Sequence, residues 1–336
     1  MSKKILITGA SGFVGSFLVE EALSRGMDVW AAVRKESSRQ WLADERINVL
    51  PLHFSDEEKL RTEISQHVKG HGAFDCVIHA AGATKARNRE DFFRSNAIVT
   101  RNLARVLTDT HALKGRFVFM SSLSVMGAIH ETDGGELSER DVPQPNTFYA
   151  ESKLAAEAEL AQIASLDYVI LRPTGIYGPR EKDYFLMAKS IKGHVDFAVG
   201  YKPQVITFIY VRDVVQAAFL ALEMGVRGKA YFLSDGAEYS SRDFSDLLQK
   251  EMGTRGVVHI CAPLWVLRVV CAISGKAAQM RNKLTTLNLD KYRILCQRNW
   301  RCDITPARKE LGFSPQWQLP RGVEETVKWY KDNGWL

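Results

Sequence analysis

The chain has no run of about 18 uncharged apolar residues, which excludes a helix built to span a bilayer. Its five cysteines form no CxxC pair and leave an odd number, so neither a disulfide framework nor a cysteine zinc site is expected. His67 and His71 in "HVKGH" have no further ligands at metal spacing, and with a Gly between them they read as a solvated turn. No metal is expected. Nucleic-acid motifs and aromatic–basic stripes are missing, which removes nucleic acid as a partner. The opening "MSKKILITGA" has only a short apolar run that leads into glycine and does not resemble a leader, so the expected compartment is the cytoplasm. There is no internal repeat, low-complexity tract or long linker. Charge is nearly balanced, 45 Lys and Arg against 39 Asp and Glu for a net +6, with one exception. From Lys276 to Arg301 seven basic residues face only Asp290, which reads as a solvated face or as a surface for phosphate, an acidic substrate or an anionic membrane.

What is present is material for a large core: 336 residues, 46% hydrophobic, enough for two domains or one large α/β unit. Short apolar runs ("KKILITGA", "MDVWAAVR", "INVLPLHF", "FDCVIHAA", "RFVFMSS", "DYVILRP") alternate with helical stretches, among them 13–25, 89–110 and 148–165. Apolar strands without alternation, separated by helices, predict a doubly wound parallel sheet covered on both faces, with ligands at the carboxyl ends of the strands. After Arg172, "PTGIYGPRE" reads as a turn leaving the sheet, and "VRDVVQAAFLAL" and "KAYFLSD" as a helix and strand returning to it. The division expected is a dinucleotide-binding domain over 1–174, joined again by 206–235. A smaller, mostly helical substrate-binding lobe then comprises 175–205 and 236–336.

"TGASGFVG" follows the first strand and opens a helix, with Gly9, Gly12 and Gly15 spaced GxxGxxG. Glycines there permit a tight turn and close backbone approach to a pyrophosphate, and the helix N-terminus adds partial positive charge. The loop predicts a dinucleotide cradled by Gly9, Ser11, Gly12, Phe13, Val14 and Gly15. An NAD site usually ends its second strand with a carboxylate for the ribose hydroxyl. Here "AAVRKESS" places Val33 at that position, followed by Arg34 and Lys35, which suit a 2′-phosphate. NADP is the expected cofactor, ahead of NAD.

In "TFYAESK", Tyr149 precedes Lys153 by one helical turn, so both groups lie on one helix face. With the loop and strand ends, the chain resembles the extended short-chain dehydrogenase/reductase family over nearly its whole length. The motifs carrying the likeness are "TGASGFVG", "VIHAAG", "FVFMSSLSVMG", "YAESK", "LRPTGIYGPR", "FIYVRDVVQAA" and "ELGFSPQWQLPRGVEETVKWY". The resemblance implies Tyr149 as the proton-transferring acid/base, Lys153 as its activator and ribose ligand, and Ser122 as the hydroxyl orienting the carbonyl, with Ser124 in reserve. A phenol with a pKa of about 10 needs a neighbouring positive charge to act near neutrality. The likeness also implies cofactor contacts at Ala80, Ala81, Gly82, Asn96, Pro173, Thr174 and Tyr177. Where the family often has Asp to meet adenine, His53 stands instead, leaving Phe54 to pack against the ring.

Family members include dehydratases, epimerases and simple carbonyl reductases. "SSLSVMG" lacks the acidic pair that the resemblance associates with dehydration, and "VITFIYV" has Ile206 and Thr207 where sugar-nucleotide enzymes often carry Arg-Asp. The sequence is most similar to the dihydroflavonol reductase and 3β-hydroxysteroid dehydrogenase subgroup. The expectation is an NADP-dependent oxidoreductase interconverting a ketone and a secondary alcohol on a small, ring-bearing apolar substrate. A nucleotide-sugar epimerase, with Arg281 and Lys283 as diphosphate partners, is the alternative, and a non-catalytic NADP-binding protein a further one. "APLWVLRVVCAIS" (262–274) is apolar all round except Arg268, so it is buried, lines a pocket or touches a membrane. Leu154, Ala158 and Ala161 at helical spacing suggest a homodimer built on the 89–110 and 148–165 helices, or plain core packing.

Overall fold

The computed structural model describes residues 2–281, 285 and 288–336. In chain order the first half comprises β1 (Lys4–Thr8), α1 (Phe13–Ser24), β2 (Asp28–Val33), β3 (Ile47–Pro51), α2 (Glu57–His71), β4 (Cys76–His79), α3 (Arg89–Phe93), α4 (Val99–Asp109), β5 (Phe117–Met120), α5 (Phe148–Ala161) and β6 (Tyr168–Pro173). Then follow β7 (Gly175–Tyr177), α6 (Asp183–Lys192), β8 (Val195–Val199), β9 (Val205–Ile206), β10 (Phe208–Tyr210), α7 (Val211–Met224), β11 (Ala230–Leu233), β12 (Tyr239–Ser240) and α8 (Asp243–Met252). The last elements are β13 (Val258–Ala262), α9 (Leu264–Met280), α10 (Leu289–Cys296), α11 (Thr305–Leu311) and α12 (Leu319–Asp332).

Seven strands form one sheet in the order β11-β6-β5-β4-β1-β2-β3, every pair parallel. Such a sheet buries both faces, and the strands show it. Ile5 and Ile7 point into the core on one side and Leu6 into the core on the other; Val118 and Phe119 divide the same way. The chain winds outward from β1 to β3, then returns to lay β4 on the opposite flank of β1. That reversal opens a crevice beyond the carboxyl ends of β1 and β4, where this class of sheet binds ligands.

Two helices differ from expectation in an informative way. The 89–110 stretch is interrupted by a π-helical turn, Arg94–Ile98, between α3 and α4, and Asn96 lies within it. His67 and His71 are on α2 rather than in a solvated turn. His67 is buried against Trp30 and stacked 4.5 Å from Phe74, so burial depresses its pKa to about 4.

Beyond β6 the chain is less helical than its composition suggested. β8 pairs in parallel with β13, β7 with β10, and β9 in antiparallel with β12. Among the described residues, no helix is long and apolar enough to cross a membrane.

Candidate active site

The crevice is shaped first by missing side chains. Gly9 has φ +68°, and a Cβ there would lie 2.7 Å from the Ala80 carbonyl carbon and the Ala81 amide nitrogen. A Cβ on Gly15 would meet the Gly9 oxygen at 2.0 Å, so helix α1 approaches the strand–loop junction closely because both residues are bare. Gly12 caps α1 without a side-chain hydrogen bond, and no carboxylate lies in the first turn. The leading amides of α1, including Phe13 and Val14, therefore have no side-chain acceptor from the cap and suit an anion. At the end of β2, Val33 is buried and Arg34 and Lys35 are exposed. Neither cation is paired with a carboxylate among the described residues.

On the other side of β1 a hydrogen-bonded chain ties β4 to the helices. The Ala81 amide donates to Thr8 Oγ1 at 3.1 Å, and Thr8 and Thr100 flank His79 at 2.7 and 2.9 Å. Thr100 Oγ1 donates to the Asn96 carbonyl, which leaves it to accept from His79 Nε2 and assigns the proton to that nitrogen. Burial and the nearby Lys153 hold His79 neutral, its pKa depressed to about 3. Asn96, fully buried, clamps the loop after β4 by accepting from the Ala83 amide at 2.7 Å and donating to its carbonyl at 3.1 Å. It also donates to Ser152 Oγ, which donates to the Tyr149 carbonyl.

Ser122 follows β5 and caps a short 3-10 turn, accepting from the Ser124 amide at 3.2 Å and from Ser124 Oγ at 2.9 Å. Ser124 is itself buried and acts on Ser122 rather than on the crevice. Tyr149 sits in the first turn of α5, which begins at the buried cap Thr147. Burial raises the Tyr149 phenol above its ordinary value, and a hydrogen bond with Ser122 pulls the other way. Lys153, one turn on, is buried, donates to the Met120 carbonyl at 2.8 Å and lies over Phe119. Burial depresses its pKa to about 8 against the attraction of Glu157. The depressed phenol pKa expected from Lys153 is therefore not what the fold produces, because the ammonium is directed at a carbonyl and desolvation dominates at the phenol. A Cβ on Gly82 would lie 3.0 Å from both Lys153 Nζ and Asn96 Oδ1, so both polar ends look into the channel that this glycine keeps open.

A dinucleotide fits this arrangement: bare backbone and helix amides at the switch point, then Lys153, Tyr149 and Ser122 around the β4–β5 strand ends. The model of the NAD dependent epimerase/dehydratase family matches residues 5–233. The chain belongs to that family. It is an oxidoreductase of the extended short-chain dehydrogenase/reductase type, a family that uses NAD(P). The 3 beta-hydroxysteroid dehydrogenase/Delta 5-->4-isomerase of Mycobacterium tuberculosis is 25% identical to it, covering 97% of this chain and 90% of its own. A dTDP-glucose 4,6-dehydratase of Streptomyces niveus is 27% identical over 98% of this chain and 93% of its own. A dTDP-glucose 4,6-dehydratase of Bacillus anthracis, solved in complex with NAD, shares the fold with a TM-score of 0.77 at 18% identity, covering 99% and 97% of the two chains.

Against this family frame some expected contacts are placed differently. Tyr177 offers the crevice nothing: it is fully buried among Phe208, Tyr210 and Phe244, under Gly322. Pro173 is buried at the end of β6, and the Thr174 hydroxyl is taken by Thr207, at 2.9 Å to its carbonyl and 2.8 Å to its hydroxyl. Phe54 is 6% exposed and belongs to the core beneath the sheet, while His53 is exposed and bonded to Glu63.

Two groups escaped the sequence reading. Glu157, buried one turn beyond Lys153, accepts from Ser121 and from Arg172 at 3.1 and 2.5 Å, bracing α5 against β5 and β6. Its i, i+4 spacing from Lys153 was the available signal. Asp290, on α10, accepts from the backbone amide of Phe148 at 2.9 Å and from that of Tyr149, and so caps α5 from outside. As the lone acid in a basic stretch it was visible in the sequence, but its partner 142 residues away was not.

Proposed function

We propose that the chain is an NADP(H)-dependent oxidoreductase that interconverts a ketone and a secondary alcohol on a small, ring-bearing apolar substrate. The observation that carries the cofactor choice is the end of β2. A buried Val33 stands where a carboxylate would repel a 2′-phosphate, and the next two side chains are exposed cations without a carboxylate partner among the described residues. The glycine loop, Ala80, Ala81, Gly82 and Lys153 would hold the rest of the dinucleotide. When bound, the nicotinamide supplies or takes up the hydride.

The protein's own part in the reaction follows from the trio. Ser122 donates to the substrate oxygen and fixes its distance from Tyr149. Tyr149, kept protonated by burial, delivers its phenolic proton to the oxygen as the alcohol forms and recovers it in the reverse direction. Lys153 stabilises the phenolate left behind and, turned from the Met120 carbonyl, bonds the ribose. Residues 175–205 and 236–336 form the substrate lobe. Support for an apolar substrate comes from the "VITFIYV" segment: Thr207 is buried, bonding Thr174 and the Trp300 carbonyl, so this segment offers no cation to a diphosphate. The relatives' names include both steroid dehydrogenases and sugar-nucleotide dehydratases. We further propose a homodimer through α4 and α5. Leu154 packs against the core, but Ala158 and Ala161 are exposed, and small exposed residues on α5 support close approach of a second helix.

Titration with both cofactors tests the reading. NADP(H) binds more tightly than NAD(H), and Arg34→Ala weakens NADP alone by about 1–3 kcal/mol, the scale of a hydrogen bond to a charged group. Equal affinity for the two cofactors refutes it. Cyclic ketones compared with UDP- and GDP-sugars, scored by turnover and thermal shift, decide the substrate class.

A further inference from the structure

Helix α9 has two apolar faces, and the fold uses only one. Leu267 and Cys271 are buried, facing the rest of the protein. Trp265, Val269, Ile273 and Met280 are 71%, 50%, 64% and 89% exposed, and their spacing places them on one stripe of the opposite side. The stripe does not end with the helix. Leu264 packs on Gly200 beside exposed Tyr201, and β13, which leads into α9, exposes Val258 and Ile260 beside Phe197 of β8. Of the three readings open for 262–274, burial on all sides does not hold: an apolar surface of this extent on an otherwise well-packed protein marks an interaction site.

Charge identifies the partner. No Asp or Glu occurs from 252 to 289, whereas Arg255, Arg268, Lys276 and Arg281 do. Arg268, Lys276 and Arg281 are exposed, and none pairs with a carboxylate among the described residues. The nearest acid on the paired strands, Asp196, is buried and turned the other way, to Ser245 and His259. An isologous contact with a second copy would set these cations against themselves. A helix about 25 Å long, apolar on one stripe that Lys276 interrupts, flanked by Arg268 and carrying a Trp, instead matches a surface that lies flat on anionic lipid, the lysine stem lying along it with its ammonium at the headgroups.

We propose that α9, with the adjoining β8–β13 edge, docks the enzyme on an anionic membrane surface. This inference does not depend on the substrate or cofactor reading. The test is co-sedimentation of the full chain with vesicles of phosphatidylcholine alone or with about a third phosphatidylglycerol, at low and high salt. The wild type pellets with the anionic vesicles at low salt and stays in solution with the neutral ones. Ile273→Glu and, separately, Arg268→Glu with Lys276→Glu each weaken binding by at least about tenfold. These side chains are exposed, and unchanged cofactor binding verifies that the variants fold. Failure of the wild type to pellet with anionic vesicles overturns the proposal, as does pelleting unchanged by both variants. Sedimentation velocity in which Ile273→Glu converts a dimer to a monomer also overturns it, assigning the face to a second copy.

Discussion

Asp290 joins the C-terminal segment to the helix that carries Tyr149, and its removal has a calculable effect. The carboxylate is 12% exposed, accepts from the first amides of α5 at Phe148 and Tyr149, and lies 3.7 Å from Arg293, which itself donates to the Asn146 carbonyl at 3.1 Å. A hydrogen bond to a charged group contributes about 1.5–3 kcal/mol, and a carboxylate at a helix N-terminus about 0.3–1 kcal/mol more. Desolvation is the larger influence on the ionised form, since the Asp290 pKa is raised, so what the acceptor contributes falls at the lower end of these figures. Asp290→Ala should therefore cost about 1–3 kcal/mol and lower Tm by about 1–4 °C; Asp290→Asn, which keeps one acceptor, should cost about half as much. The sign of the pH dependence is fixed by the direction of the shift. A folded pKa above the ordinary 3.8 means that the folded state holds the proton more tightly, so stability relative to the Asn variant is greatest below about pH 4. It declines as pH rises through the raised value. Because the α5 cap holds the turn that carries Tyr149, kcat should fall roughly 10–100-fold in the Ala variant, while cofactor affinity, which we propose rests on the glycine loop and Lys153, stays within about twofold. An Asp290→Ala protein with wild-type Tm and kcat would falsify this account of the helix cap.

Three further perturbations probe the site. Tyr149→Phe should leave cofactor binding and Tm intact and lower turnover by roughly 10²–10⁴; undiminished single-turnover rates would remove the phenol from the proton path. Lys153 titrates at about 8 in the fold against an ordinary 10.5, so the unfolded chain binds more protons between those values and stability rises with pH across that window. The rise amounts to roughly 3 kcal/mol, and urea unfolding of Lys153→Met should show it flattened; an unchanged slope means another group is responsible. Tyr177→Phe removes a buried hydroxyl that has no hydrogen-bond partner among the described residues, so stability should be unchanged or higher by up to about 1–2 kcal/mol. Weaker cofactor binding in that variant would return Tyr177 to the nicotinamide site.

What was legible in the sequence follows from where the information resides. Gly9, Gly12 and Gly15 act through local backbone geometry, and β1, the loop and α1 are contiguous, so their pattern could be read directly. The Tyr149–Lys153 spacing is equally local. Tyr177 was misplaced because the resemblance assigns it by position in a motif, whereas its ring is decided by Gly322, whose missing side chain admits the hydroxyl. Phe54 failed similarly: an aromatic at a strand end was read as a ring platform, but its neighbours on α2 and α4 draw it into the core. β8 and β13 were missed because five-residue strands pairing 63 residues apart have too little periodicity to register. For α9 the apolar composition was clear, but composition cannot say which side finds a neighbour. The Asp290 cap is wholly a matter of tertiary structure.

The basic stretch that ends at Arg301 is where the substrate question turns, and the fold divides it. A nucleotide diphosphate needs fixed cations that are free to face it. Arg301 donates to both oxygens of Glu238 at 2.7 Å and to the Gly134 carbonyl. Arg298 bonds the Glu131 carbonyl at 2.8 Å, and Arg293 is held by Asn146 and Asp290. These three cations bind the C-terminal segment to the loop after β5 and to the start of α5, and they are no longer available as point charges for phosphate. Lys283, one of the two proposed diphosphate partners, lies outside the described residues. Lys276, within α9, and Arg281, just beyond its end, belong to the apolar surface described above. The charge that first spoke for a sugar nucleotide is thus largely accounted for by internal bonds and by the α9 rim. At the strand end, Ile206 and the buried Thr207 stand where sugar-nucleotide enzymes often carry Arg-Asp, which supports the proposed ring without charge.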